Sequence, residues 1–113
     1  MKQHNWFRTQ PNQNDKLNQP NYIKVKCNNI LYGTTCSVKN ITKIVLDNGT
    51  EVFDKTSLGK LCESYPFLER IKKDVVINLN KIFQRQDYNV VWLNEETKFN
   101  VSRRYRDNLK QHL

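Results

Sequence analysis

Two runs rich in β-branched residues, Thr42–Leu46 and 50–53, flank the tripeptide Asp47-Asn48-Gly49. Asn-Gly between two such runs is the strongest short-range signal for a β-hairpin, because a type I′ turn needs positive φ at both central residues. A chain committed to antiparallel pairing here must bury its apolar face against further strands or a short helix. The surrounding sequence supplies mostly strands. Ile23, Val25 and Cys27 fall on one side of an extended run and Lys24, Lys26 and Asn28 on the other, the pattern of a half-buried strand. Ile30-Leu31-Tyr32 is a second short apolar run, and 33–39 reads as a polar loop.

One interior helix interrupts the strands. Thr56 or Ser57 suits its N-cap, and Leu58, Leu61, Cys62 and Tyr65 fall at i, i+3, i+4 and i+7 on one apolar stripe. Pro66 prevents continuation, and Gly59 weakens the helix by about 1 kcal/mol relative to alanine, so packing must hold it. Val75-Val76-Ile77 is the next strand, followed by Lys81-Ile82-Phe83. Residues 88–93 and 98–101 form a hairpin across 94–97. Ser102 then caps a last helix with Tyr105, Leu109 and Leu113 on one stripe. The reading is a mainly β fold of seven or eight short strands and two short helices, without an internal repeat. Residues 1–21 differ: they are rich in Asn and Gln, contain Pro11 and Pro20, and hold only Trp6-Phe7 as a large apolar pair. They read as a disordered tail, whose aromatic pair could dock on a partner or on the domain, ahead of one domain over 22–113.

Charge narrows the partner. The 113 residues carry 19 basic and 11 acidic side chains, a net charge of +8, which makes a polyanion the first partner to consider. The surplus is uneven. Residues 98–113 hold Lys98, Arg103, Arg104, Arg106 and Lys110 against Asp107 alone, and a second cluster lies at Arg70, Lys72 and Lys73. Either cluster alone fits a solvated face; both in one small domain favour a phosphate-facing surface. No stretch approaches the roughly 18 apolar residues of a membrane span. The N-terminus lacks the apolar core of a signal peptide. Both observations point to a soluble cytoplasmic protein without a membrane partner.

Catalysis finds little to build on. The two histidines, His4 and His112, sit at the ends of the chain, so the commonest general base is missing from the domain. Gly33, Gly49 and Gly59 form no phosphate loop, and Cys36 or Cys62 would lack a histidine partner as nucleophile. Cys27, Cys36 and Cys62 are an odd count without a C-x-x-C pair, so no metal site can be assembled and free thiols are expected. The expectation is no enzyme, no metal and no cofactor. Asn78, at the end of an apolar strand, reads as a structural residue that satisfies backbone groups.

A nucleic-acid surface fits better. Arg103, Arg104 and Arg106 open the last helix, with Lys110 a turn later; the guanidinium fork suits phosphate oxygens and guanine O6/N7. Lys72 and Lys73 precede a buried strand, and Lys39-Asn40 lies in the loop before Thr42, where asparagine can bridge an adenine edge. There is no leucine heptad, zinc finger or clear helix-turn-helix, so loops on a β scaffold would do the binding. The residues alone also fit a protein-interaction module for an acidic partner, or a general RNA-binding protein.

Residues 56–109 resemble the LytTR (LytR/AlgR-type) family of bacterial DNA-binding domains. The matching residues are Ser57-Leu58 with Leu61, Pro66-Phe67, Arg70-Ile71-Lys72, Val76-Ile77-Asn78-Leu79 with Ile82, and Val101-Ser102-Arg103-Arg104 with Leu109. The stretch from Ile23 to Phe53 fits the family's early strands more loosely. The resemblance implies an elongated stack of small antiparallel sheets with short helices, whose loops enter successive major grooves and bend the DNA. It implies regulation of transcription, as the output domain of a response-regulator-type protein, at paired direct-repeat sites that a second copy could share. By position it puts the base-contacting loops on Lys39-Asn40, Lys72-Lys73 and Arg104, with Arg103 and Arg106 serving the backbone; the expected base contacts are Asn40, Lys73 and Arg104, and the expected backbone contacts are Lys39, Lys72, Arg103, Arg106 and Lys110. Lys72 stands where many members carry histidine, Lys73 where arginine or asparagine is frequent, and Asp74 where serine is frequent, so a different base preference follows. The 21-residue tail is too short to hold a receiver domain, so no phosphoacceptor aspartate is expected ahead of the domain.

Overall fold

The computed structural model describes residues 6–9 and 23–113. Among the described residues, ten strands form three antiparallel sheets, accompanied by two α-helices. The largest is built from β3 (Ile30–Thr35), β4 (Thr42–Leu46), β5 (Glu51–Asp54), β6 (Leu68–Lys72) and β7 (Val75–Asn78), in the order β5-β4-β3-β7-β6. A smaller sheet has the order β10-β9-β8, from β8 (Gln84–Gln86), β9 (Val90–Trp92) and β10 (Lys98–Asn100). A ribbon joins β1 (Trp6–Thr9) to β2 (Ile23–Lys26), with Phe7 opposite Val25. The helices are α1 (Leu58–Ser64) and α2 (Arg103–His112). The described residues span 46 × 29 × 28 Å, an elongated body.

The large sheet is buried on both faces. Ile30, Ile44 and Val52 pack with Val25 and Cys27 from the β2 side, with Leu61 of α1 and with Leu68. Leu31, Ile71, Val75 and Ile77 pack instead with Val91 and Leu93 of the small-sheet hairpin, with Val101 and with Leu109 of α2. A bulge between Ile30 and Tyr32 lets β3 serve both cores: Ile30 meets the first, while Leu31 and Tyr32 both meet the second. Asn78 links the two at the end of β7. It is 1% exposed; its Nδ2 donates to the carbonyls of Ile30 (2.8 Å) and Cys27 (3.4 Å), and its Oδ1 accepts from the Asn80 amide (2.9 Å).

Several local expectations change. The hairpin at 47–49 forms, but its turn is not type I′: Gly49 has φ +85° and Asn48 keeps negative φ. Gly49 N donates to Leu46 O (2.9 Å) and the Asn48 side chain accepts from Thr50 N (2.9 Å), so one left-handed glycine suffices in a three-residue turn. Gly33 to Thr35, expected in a loop, extend β3, and the loop shrinks to 36–41. β6 was hidden by its bulge between Arg70 and Lys72, which breaks the alternation. β8 consists of three exposed polar residues rather than Lys81-Ile82-Phe83, which leads into it through a short 3-10 turn. Leu113 does not join the α2 stripe and is 46% exposed. Part of the stretch read as a disordered tail pairs as β1; β2 lies outside the large sheet and gains a partner for its backbone groups that four residues of sequence do not advertise. The remainder of that reading, over 1–5 and 10–21, falls outside the described residues.

Gly33 sits mid-sheet, opposite Ile44 on one side and Val76 on the other. A Cβ there would lie 3.1 Å from Val76 Cγ2 and 3.2 Å from both Ile44 Cδ1 and Thr42 Cγ2. All three neighbours are branched and buried, so none can give way. Gly33→Ala therefore destabilises the domain by about 1–2 kcal/mol in urea unfolding, overpacking outweighing the roughly 0.5–1 kcal/mol that alanine gains within a strand.

Candidate nucleic-acid interface

Strand order brings three segments to one end of the large sheet. β3 and β7 are antiparallel neighbours, so the 36–41 loop leaves the sheet where the 73–74 turn enters it, and Thr35 N donates to Asp74 O (3.2 Å). α2 starts beside the same place, because Ser102 N donates to Ile71 O (2.8 Å) near the end of β6. Lys39-Asn40, Lys72-Lys73 and Arg103-Arg104 thus come together. Arg106 and Lys110 lie farther along α2.

Each segment is held by its own contacts. In the 36–41 loop, Cys36 Sγ donates to the carbonyls of Ile41 (3.3 Å) and Val38 (3.6 Å). Asn40 is exposed with φ +62°, a left-handed conformation that asparagine tolerates better than most residues. Between this loop and the start of α1 lies a cleft of about 470 Å³, lined by Val38, Lys39, Asn40, Ser57, Leu58 and Arg70 among others. Lys72 is half-buried at the end of β6, just past its bulge, and Lys73 is exposed in the turn. Arg103 and Arg104 are exposed in the first turn of α2; the Ser102 side chain makes no capping bond. Arg106 is half-buried, and its Nε donates to Val101 O (3.3 Å).

Arg70 belongs to this end as well; its basic cluster and its place in the family pattern assign it no contact. Its Nε and Nη2 donate to Lys73 O (3.1 and 2.5 Å), which fixes the 73–74 turn. Its guanidinium lies 5.9 Å from the Tyr105 ring centroid, and that of Arg104 lies 5.7 Å from the same ring. Arg70 and Tyr105 therefore join the second segment to the third. No local sequence pattern signals this, because the two residues meet only after β6 and α2 have packed.

The electrostatics favour an anion. Among the described residues the ion pairs are Lys43–Glu51 (3.4 Å), Lys81–Asp47 (2.8 Å) and His112–Glu69 (2.9 Å), and none uses a candidate cation. The Cys62 thiol offers little chemistry beside it. Burial, with help from Glu69 and Glu63 against the pull of Arg70, pushes the Cys62 thiol up to about 11, so it stays protonated near neutral pH. Among the described residues no helix is long and apolar enough to cross a membrane.

A cationic end made of two strand-connecting segments and a helix start, on stacked antiparallel sheets, is the arrangement expected of a loop-based DNA binder. The family model for the LytTr DNA-binding domain matches residues 20–113. The chain belongs to the LytTR family. No curated protein matches it. The LytTR assignment makes DNA the partner class and accounts for the mainly β architecture with two short helices, including the antiparallel sheets of five and three strands.

Proposed function

We propose that this LytTR domain binds double-stranded DNA sequence-specifically from the major groove and regulates transcription in the cytoplasm at paired direct-repeat sites. The observation that carries the reading is the convergence of the 36–41 loop, the 73–74 turn and the first turn of α2 at one end of the large sheet. Asn40, Lys73 and Arg104 stand at the tips and serve as base readers. Lys39, Lys72, Arg103, Arg106 and Lys110 flank them and hold phosphates, which set register without reading sequence. Two copies side by side on a repeat would double the number of segments in contact with DNA.

Selection from a random duplex library at near-physiological salt tests the reading. Enrichment of a defined motif, repeated in direct orientation, is expected. Retention of DNA without any enriched motif would remove the base-reading roles. Arg104 then gives the sharper test. Arg104→Ala should weaken binding to the selected site by about 1–3 kcal/mol and binding to random DNA by less, whereas Lys110→Ala should weaken both alike. Equal losses on the two DNAs for Arg104→Ala would reduce that residue to a phosphate contact.

A further inference from the structure

A fourth cationic element flanks α2. In the small sheet, Gln84 and Gln86 align with Trp92 and Val90, and these with Lys98 and Asn100, so the six residues share one face. Arg85 aligns with Val91, the buried residue that packs in the core containing Leu109 of α2. The one cation of β8 therefore stands on the helix side of its sheet. The turn that follows runs beside α2: Val101 N donates to Asn89 O (2.7 Å), immediately ahead of the helix.

Tyr88 organises this corner. The Arg85 guanidinium sits 4.7 Å from its ring centroid, and Lys110 Nζ of α2 sits 6.0 Å from the same ring. Arg85 Nη1 also donates to Asp87 O (2.9 Å), in a turn where Asp87 takes φ +50°. Among the described residues no carboxylate makes an ion pair with Arg85 or Lys110. Two like charges gathered on one ring repel each other, and the nearby Asp87 and Asp107 carboxylates are exposed rather than paired with them. An anion placed against both would relieve that repulsion. A guanidinium already stacked and bonded also loses less rotamer freedom on binding than a free one.

We infer that Arg85 and Lys110, both gathered at the ring of Tyr88, form a phosphate clamp that grips the DNA backbone beside the segment entered by Arg104. Arg85 and Lys110 contact phosphate, and Tyr88 is a positioning residue. The inference rests on the DNA-binding reading above and adds a contact segment that the three converging elements do not include.

The test measures affinity of the full chain for its selected site and for random duplex across a salt series. Arg85→Gln should weaken binding several-fold on both DNAs alike and lower the log–log salt slope by about 1, without changing the preferred motif. Lys98→Gln is the charge-matched control, because Lys98 lies on the opposite face of the same sheet against Trp92 (5.8 Å); it should leave the slope in place. Tyr88→Leu should reproduce the slope change although it removes no charge, and Tyr88→Phe, which keeps the ring, should restore it. Equal effects of the Arg85 and Lys98 variants, or no slope change for Arg85→Gln while the unaltered protein binds normally, would overturn the clamp alone. Failure of the unaltered protein to bind DNA would overturn the clamp and the DNA-binding reading together.

Discussion

Asn78→Ala is expected to destabilise the domain by about 3 kcal/mol, within a range of roughly 2–4. The side chain is almost wholly buried, and its removal strands two backbone carbonyls and one amide together. Each buried group left unpaired costs about 1–3 kcal/mol, and the space left by three side-chain heavy atoms, about the volume of one water, limits how much of that a single water restores. Against the roughly 5–15 kcal/mol that stabilises a domain of this size, such a loss lowers the melting temperature by more than about 10 °C. Asn78→Asp does not rescue it, because a carboxylate keeps the acceptor for Asn80 N but turns its charge toward the carbonyls of Ile30 and Cys27. Urea unfolding of both variants measures the effect. A loss below about 1 kcal/mol would mean that the three bonds contribute little beyond what water supplies. Because Asn78 sits at the end of β7 away from the 73–74 turn, the folded fraction of the variant should select the same DNA motif as the unaltered protein.

What the sequence made legible was what local physics decides. The 47–49 hairpin and α1 with its Ser57 cap follow from turn chemistry, capping and a short apolar stripe, all within a few residues, whereas α2 starts after Ser102 without its capping bond. Ser57 Oγ accepts from Lys60 N at 3.4 Å, as the cap reading requires. β6 and β8 were not legible, for two different reasons. The bulge at Arg70–Lys72 shifts the apolar phase of β6 part-way along, so neither face shows an alternation. β8 has no buried residue; it is a strand because β9 pairs with it, which is context rather than propensity. Gly33 misled for a related reason, since a glycine in a polar run reads as a loop unless its close-packed neighbours are known. The candidate site divides in the same way. Lys39, Asn40, Lys72, Lys73, Arg103 and Arg104 could be named from basic and amide tips and from the family pattern. The roles of Arg70 and Arg85 could not, because they depend on the rings of Tyr105 and Tyr88, which meet them only after the sheets and α2 have packed.

The steepest functional response should be to salt. Leaving Arg85 aside, five backbone contacts, on Lys39, Lys72, Arg103, Arg106 and Lys110, become seven if Lys73 and Arg104 also touch phosphate while reading bases. Each neutralised phosphate releases condensed counterion and contributes about 0.9 to the slope of log affinity against log salt, so the expected slope is about −5 to −6. Raising salt from about 50 to about 200 mM then costs on the order of 10³ in affinity. Arg106 offers phosphate only its two terminal nitrogens, because its Nε is already engaged with Val101 O. Fluorescence anisotropy with a labelled duplex, repeated over the salt range, gives the slope directly. A slope shallower than about −2 would mean that most of these side chains face water in the complex, and would shift the binding energy to a few base contacts. A steep slope that is identical on random and selected DNA would say the reverse: the cationic end grips any duplex, and discrimination comes from Asn40, Lys73 and Arg104 through interactions that salt does not screen.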